Sequence, residues 1–214
     1  MPTDTHILTL AQWFSPGFPV GAFAYSHGLE WAIQMGHIRD ATTLEIWLGN
    51  ILEHGAGRSD VIFLAHAYRS EDGDITDLDA LLRAYAPSRE RLLESVQQGE
   101  AFARTVSDIS EFTVTPASYP VAVGHAAKLA ELPLELTAKT YLQAFIANLI
   151  SAAVRLVPLG QTDGQRCLRH LAPQIEIVAS QAITAGLDDV SSTAFLADIA
   201  GMNQAAMHTR IFRS

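Results

Sequence analysis

Cysteine, lysine and charge are all scarce in this sequence of 214 residues. Cys167 is the single cysteine, so an internal disulfide is excluded and a reducing, cytoplasmic setting is expected. The only lysines are Lys128 and Lys139, charged residues make up 17% of the chain, and the formal net charge is −9. An acidic chain with so few lysines is not expected to bind nucleic acid, because a phosphate backbone is bound by clustered cations.

Long uninterrupted apolar runs are also absent. The charge-free stretch at residues 5–29 is interrupted by Pro16, Gly17, Pro19 and Gly21, and the stretch at residues 140–154 is too short for a bilayer crossing of about 20 residues. The first basic residue is Arg39, so the N-terminus lacks the positive flank of a signal peptide. We therefore expect no association with a membrane.

The apolar residues, 49% of the chain, recur with a period near 3.6 from residue 25 onward. This period is typical of amphipathic helices, and only a brief alternation at residues 111–115 suggests a strand. The pattern predicts an all-α fold, a single-domain bundle of about eight to ten helices over residues 1–214. The domain includes an N-terminal segment with several prolines and glycines (residues 1–24) and a C-terminal docking tail (about residues 207–214).

Capping patterns and prolines predict several helix boundaries. Around Pro173 we expect two separate helices, at about residues 163–171 and 173–185, because proline lacks the N–H that a helix interior requires. Spacing typical of an N-cap or a capping box occurs at Thr42, at Ser59 or Asp60, at Ser88 and at Thr162.

A phosphate-binding loop is not recognisable in the sequence. Its nearest approach, residues 55–59, lacks the G-K-[ST] ending that places a lysine against the phosphates. We expect that the chain is not itself a P-loop GTPase.

Two further patterns provide alternative functions. Residues 24–28 are similar to a nucleophile elbow centred on Ser26, which would define a small serine hydrolase, although the missing strand pattern favours a capping or packing role. Cys167 and His170 lie one helical turn apart and would supply two ligands in a helical metal-binding protein. A buried thiol beside a surface histidine is the simpler interpretation of that pair.

Basic residues beside apolar ones suggest docking at two places. Arg155 follows a charge-free run, residues 140–154, near the end of a long predicted helix. There it can complement the helix dipole or serve as an interface anchor, and the sequence favours neither role. The tail combines Arg210 and Arg213 with Phe212. A bulky aromatic group at a chain end predicts that the tail packs against another surface.

Three segments together resemble the UreF family of urease accessory proteins. Residues 18–30, called here the signature segment, are similar to the family pattern F-P-x-G-x-(F/Y)-x-x-S-x-G-L-E. Residues 148–165, which contain R-L-V-P-L-G-Q, resemble a second family segment, and residues 210–214 resemble the family's closing R-(L/I)-F-R-S. The chain departs from the family before this closing motif, with Gln204-Ala205 in place of a His-Glu pair and Met207-His208 in place of a Gln-Tyr-like pair.

The resemblance implies an all-α, dimeric adaptor without catalytic residues, metal ligands or a resident cofactor. It further implies binding to a UreD- or UreH-like accessory protein, a UreG-like GTPase and the urease apoprotein. In that assembly the chain would assist GTP-dependent nickel insertion, with nickel and GTP handled by the partner complex. The partner-binding residues expected from the three segments are Tyr25, Ser26, Glu30, Arg155, Gln161, Arg210, Phe212 and Arg213.

Overall fold

The computed structural model describes residues 2–71, 74–204, 206–207 and 209–213. Within these ranges the chain forms α-helices, short 3₁₀ turns and loops, with no β-strand, which confirms the predicted all-α class. Residues 111–115 form a loop. The α-helices are α1 (Asp4–Trp13), α2 (Leu29–Gln34), α3 (Ala41–His54), α4 (Ala56–Arg69), α5 (Ile75–Tyr85), α6 (Arg89–Ile109), α7 (Tyr119–Leu129), α8 (Leu134–Val154), α9 (Gln161–Ala182) and α10 (Phe195–Gln204).

The predicted N-cap of α6 is confirmed, whereas that of α3 is wrong. Ser88 Oγ accepts a hydrogen bond from the Arg91 N–H at 3.2 Å, which satisfies one free donor of the first turn. Helix α3 begins after Asp40 rather than at Thr42, because the Asp40 carboxylate accepts from the Thr43 N–H at 2.8 Å. The capping-box spacing at Thr42 therefore lies inside a helix that has already started.

Helices α4 and α9 also begin earlier than predicted. Helix α4 starts at Ala56, which places Ser59 and Asp60 inside the helix, where their side chains bond to other elements. Helix α9 starts at Gln161 after Gly160, so Thr162 is not its cap.

The prediction of two helices around Pro173 is wrong, since α9 continues through this residue to Ala182. Pro173 is exposed on the outer face of α9, while Cys167, Leu171 and Ile175 on the inner face are buried. This inner face packs against α3 and α8, and the packing stabilises α9 by more than is lost with the one main-chain hydrogen bond that Pro173 cannot form.

Helix α4 is surrounded by other helices and is buried on all sides between Val61 and Ala65. It packs against α3, α5, α7, α8 and α9, most closely against α7. A Cβ atom at Gly124 of α7 would lie 2.2 Å from the Leu64 carbonyl oxygen, so only glycine permits this approach. The core therefore extends continuously from α4 to α7.

Helix α1 lies within the N-terminal segment, in a region that the periodicity from residue 25 does not cover. Thr3 Oγ1 accepts from the His6 N–H, and the His6 ring accepts from the Thr3 N–H, which closes a capping box. The helix buries Leu10 and Trp13, and the Trp13 ring packs edge-on against Phe102 of α6 at a centroid distance of 5.3 Å.

No helix in the described part of the chain combines the length and the hydrophobicity that a bilayer crossing requires.

Candidate partner-binding site

The signature segment is bonded to three different helices. Tyr25 donates its hydroxyl hydrogen to Gln97 Oε1 on α6 at 2.7 Å, and Gln204 Nε2 on α10 donates to Ser26 Oγ at 3.0 Å. Asn148 on α8 donates to a main-chain carbonyl of the segment at 3.0 Å. The segment therefore fixes the relative positions of α6, α8 and α10.

A left-handed turn at residues 27 and 28 brings the signature segment against α10. His27 has φ of 52° and Gly28 has φ of 78°, in the region that favours glycine. A Cβ atom at Gly28 would lie 2.5 Å from the main-chain nitrogen of Gly201. Glycine is thus required at residue 28 both for its backbone conformation and for the close approach of α10.

The C-terminal tail folds back onto the signature segment. The Glu30 carboxylate accepts hydrogen bonds from the main-chain N–H groups of Ile211 at 2.7 Å and Phe212 at 2.9 Å. The Arg213 N–H donates to the Ala24 carbonyl at 2.8 Å. These three bonds attach the tail to the segment through its main chain rather than through its basic side chains.

Arg155 covers the docked tail from the C-terminal end of α8. Its Cζ lies 4.6 Å from the centroid of the Phe212 ring, and its Nε donates to the Ser151 carbonyl at 3.1 Å. A further bond of 3.4 Å reaches the carbonyl of Phe23 in the signature segment. Arg155 thus satisfies a carbonyl group in the last turn of α8 and also stacks on Phe212. The residues Glu30, Arg155 and Phe212 are called here the tail junction.

The structure brings most of the expected partner-binding residues to this one region. Tyr25, Ser26, Glu30 and Phe212 are buried, so their contacts are with the chain itself. The groups left at the surface are Arg155, Arg210 and Arg213. Gln161 is the first residue of α9 and is exposed. Among the described residues, it takes part in none of the hydrogen bonds that form the tail junction.

Apolar side chains are exposed beside the tail junction and along α10. Phe23 is 68% exposed and Ile211 is 70% exposed. On the outer face of α10, successive helical turns expose a stripe of large apolar side chains, which we call the α10 stripe: Phe195, Leu196, Ile199 and Met202. Contiguous exposed apolar surface of this kind is typical of protein interfaces.

A buried polar cluster lies beneath the signature segment. His27 Nε2 is 2.7 Å from both Glu94 Oε1 and Arg91 Nη1, and Arg91 Nη1 is 2.7 Å from Glu94 Oε2. Tyr141 on α8 donates to Asp60 Oδ2 on α4 at 2.8 Å. We call these five residues the buried polar cluster. Sequence reasoning missed them as a group, because they come from four separate parts of the chain.

Burial shifts the proton affinities of this cluster. Burial, and next the charge of Arg91, lower the pKa of His27, which favours the neutral imidazole. Burial raises the pKa of Asp60 to about 6, although Arg91 and the Tyr141 hydrogen bond act in the opposite direction. Burial also raises the pKa of Tyr141 well above its ordinary value, so its hydroxyl stays protonated and serves as a donor.

The serine-hydrolase alternative gains no structural support from the surroundings of Ser26. The side chain of Ser26 is completely buried, and its hydroxyl is paired with Gln204. The described residues contain no strand, whereas a nucleophile elbow lies between a strand and a helix.

The metal-binding alternative is equally without structural support. Cys167 is buried, and burial raises the pKa of its thiol to about 11, which disfavours the thiolate that binds metals. His170 is directed to Glu45, with 2.9 Å between Nδ1 and the carboxylate oxygen. The described residues contain no group of three or more His, Cys, Asp or Glu side chains that could hold a metal ion.

Urease accessory proteins of several bacteria are similar to this chain along nearly its full length. Over 214 residues it is 47% identical to the urease accessory protein UreF of Ruegeria pomeroyi, covering 100% of this chain and 99% of that protein. It is 51% identical to UreF of Roseobacter denitrificans over 100% of this chain and 96% of the relative, and 49% identical to UreF of Cereibacter sphaeroides strain KD131 over 97% and 98%.

These relatives place the chain among the urease accessory proteins. The family model of UreF matches residues 38–172. The chain belongs to the UreF family.

Proposed function

We propose that this chain is a non-enzymatic adaptor that assists GTP-dependent nickel insertion into apo-urease. Its partners in this proposal are a UreD- or UreH-like accessory protein, a UreG-like GTPase, the urease apoprotein and a second copy of the chain, all in the cytoplasm. The observation that carries the proposal is the similarity to UreF proteins along the full length, which includes the signature segment and the tail.

The surface of the chain supports an adaptor role. Phe23 and Ile211 expose apolar surface beside the tail junction, and the α10 stripe exposes more. Such groups lose contact with water when a partner covers them, which contributes to association. The net charge of −9 favours partner surfaces with an excess of basic residues.

A platform that binds several partners at once accelerates transfer between them. When the GTPase and apo-urease are held in one assembly, delivery of nickel becomes effectively intramolecular. GTP hydrolysis changes the assembly only through the different affinities that the platform has for the two nucleotide states of the GTPase. The nucleotide and the nickel ion stay with the partners, in agreement with the missing phosphate-loop motif of this chain.

The test is complementation of a urease gene cluster that lacks its F component. We expect the wild-type chain to restore urea hydrolysis and to co-purify with the D- or H-like accessory protein. Cells with an empty vector provide the background, and immunoblotting of the urease subunits controls for expression. Background hydrolysis despite normal urease subunits and a soluble chain would reject the adaptor proposal.

A further inference from the structure

A cavity of about 490 Å³ separates the N-terminal part of the chain from α8. Residue 11 and residues 13–23 line it on the N-terminal side, residues of α8 line it as well, and α6 contributes polar side chains to the lining. Aromatic rings line much of it: Trp13, Phe14, Phe18, Tyr119 and Phe145. A volume of this size and an apolar lining with a few convergent polar groups are typical of sites for small molecules.

The buried polar cluster forms part of the lining of this cavity. His27, Asp60 and Arg91 line it, and the same three residues also line a smaller cavity of about 100 Å³. The cluster thus borders both cavities. A molecule in the larger cavity would meet charged groups at one end and aromatic rings along its length.

None of the ion pairs of the described residues includes Asp60. Arg91 Nη1 lies 2.7 Å from Glu94 Oε2 and 2.7 Å from His27 Nε2, and Arg91 acts on Asp60 only through its charge. His27 is no counter-charge to Asp60, because its lowered pKa keeps the imidazole neutral. A carboxylate without an ion-pair partner in partly buried surroundings is costly, and a bound monovalent cation would offset its charge.

Asp60 is the group through which such a cation would bind. One of its carboxylate oxygens accepts the Tyr141 hydroxyl, and the second oxygen accepts no hydrogen bond from the described residues. The side chain is partly buried and borders both cavities. A free carboxylate oxygen at the end of an aromatic cavity is a suitable acceptor for an N–H donor of a ligand.

We propose that the larger cavity binds a monovalent organic cation, with its ammonium or guanidinium group at Asp60 and its apolar body against the aromatic wall. Aromatic faces attract organic cations, and the described residues offer no cluster of three metal ligands. This site is additional to the adaptor function and does not depend on it.

The probe is benzylammonium, measured by isothermal titration calorimetry with the full chain, and benzyl alcohol is the neutral probe of the same shape. We expect benzylammonium to bind and benzyl alcohol to bind about tenfold more weakly, because only the cation interacts with the carboxylate. Equal affinities for the two probes, or no measurable binding of benzylammonium, would overturn the proposal.

Two variants locate the site. Asp60→Asn keeps the side-chain shape and should weaken benzylammonium binding about tenfold, since it removes the charge. Ala144→Phe fills the cavity from α8 with Asp60 unchanged and should abolish binding. The exposed Asp77→Asn is the matched control, and circular dichroism shows whether each variant is folded. Unchanged binding in folded Asp60→Asn or folded Ala144→Phe contradicts this location.

Binding should also weaken as the pH falls through about 6, where the Asp60 carboxyl gains a proton. The groups that face this carboxyl are Arg91 and Glu94 of α6, Tyr141 of α8, and His27 of the signature segment, with Tyr119 of α7 in the same cavity. Protonation of His27 as the pH falls adds positive charge and acts in the same direction. Affinity for benzylammonium that is constant across this range would contradict the role of Asp60.

The cation has two natural sources, a free amine or a basic side chain of another protein. A blocked tripeptide with a central lysine, acetyl-Gly-Lys-Gly-amide, distinguishes them. Tripeptide binding that Asp60→Asn weakens supports the site and identifies a protein side chain as the ligand. Binding of benzylammonium alone supports the site and identifies a small amine.

Discussion

The Glu30 carboxylate accepts a hydrogen bond from the main-chain N–H of Phe212 at 2.9 Å, across 182 sequence positions. The same carboxylate accepts the Ile211 N–H, and Phe212 is only 2% exposed. Glu30 therefore holds the end of the chain by its main chain, while Arg155 covers the Phe212 ring from above. This arrangement determines which tail side chains remain available to a partner.

Replacing Glu30 with alanine should release the tail. The change leaves two main-chain N–H groups without their charged acceptor, and we expect a loss of about 2 kcal/mol in tail docking. Hydrogen–deuterium exchange at the Ile211 and Phe212 amides measures this directly, and exchange should become faster in Glu30→Ala. The exposed Glu100→Ala on α6 is the matched control. Unchanged protection of both amides in Glu30→Ala would contradict the tail junction.

Gly28→Ala should destabilise the fold more than Gly36→Ala. Both glycines have positive φ, 78° and 76°, so both substitutions incur the left-handed cost of about 1 kcal/mol. Only at Gly28 would the new Cβ also meet α10, whereas nothing lies within 4 Å at Gly36. Chemical unfolding monitored by circular dichroism should give Gly28→Ala the larger loss, by about 1 kcal/mol or more. Equal losses in the free energy of unfolding would show that α10 leaves room for a Cβ atom at residue 28.

Asp60→Asn should change the pH dependence of stability. The pKa of Asp60 is raised from 3.8 to about 6 in the folded protein, so the folded state binds the proton more tightly than the unfolded state. The stabilisation from this proton is complete below pH 4 and is lost as the pH rises through about 6. The free energy of unfolding of Asp60→Asn, relative to the wild type, should therefore rise across this range.

The measurement is chemical unfolding of both proteins at a series of pH values. The difference between variant and wild type removes the opposite contribution of His27, whose lowered pKa destabilises the folded state at acidic pH. The exposed Asp77→Asn should show a constant difference. A constant difference for Asp60→Asn as well would argue against a carboxyl group that titrates near pH 6.

Ile211→Ser should weaken partner binding without unfolding the chain. Ile211 is 70% exposed next to the tail junction, and we expect about a tenfold loss of affinity for the D- or H-like accessory protein. Deleting residues 210–214 should weaken the same interaction further. Co-purification of the partner is the measurement, with Ile109→Ser, another exposed isoleucine, as the control. Retention of the partner by both tail variants would place its binding surface elsewhere.

The sequence predicts the helical class well but places several helix ends wrongly, and the reasons are physical. Pro173 does not break α9, because packing against α3 and α8 outweighs the single lost hydrogen bond. Asp60 is not an N-cap, because α4 already begins at Ala56, and its carboxylate accepts a hydrogen bond from Tyr141, a residue far away in the sequence. Both errors arise where tertiary contacts override a local preference.

The candidate site is predicted only in part for the same reason. Family motifs identify Glu30 and the tail, but their contact becomes visible only in the folded chain. On α6 the apolar pattern of the sequence predicts a core-facing side that contains Leu92, Val96 and Ala103. The buried side in the structure includes a row of residues spaced four apart, the first two polar and the next two apolar: Glu94, Gln98, Phe102 and Val106. Polar residues in line with a buried apolar stripe are the one sequence signal that leads to the buried polar cluster.

The nickel content of purified urease tests the adaptor function most directly. Urease is isolated from cells whose gene cluster lacks the F component and which express the wild-type chain, Glu30→Ala, Glu100→Ala or an empty vector, and its bound nickel is measured by atomic spectroscopy. We predict nickel-loaded urease with the wild-type chain and with Glu100→Ala, and reduced loading with Glu30→Ala. If urease were as poor in nickel with the wild-type chain as with the empty vector, the chain would have no role in nickel insertion.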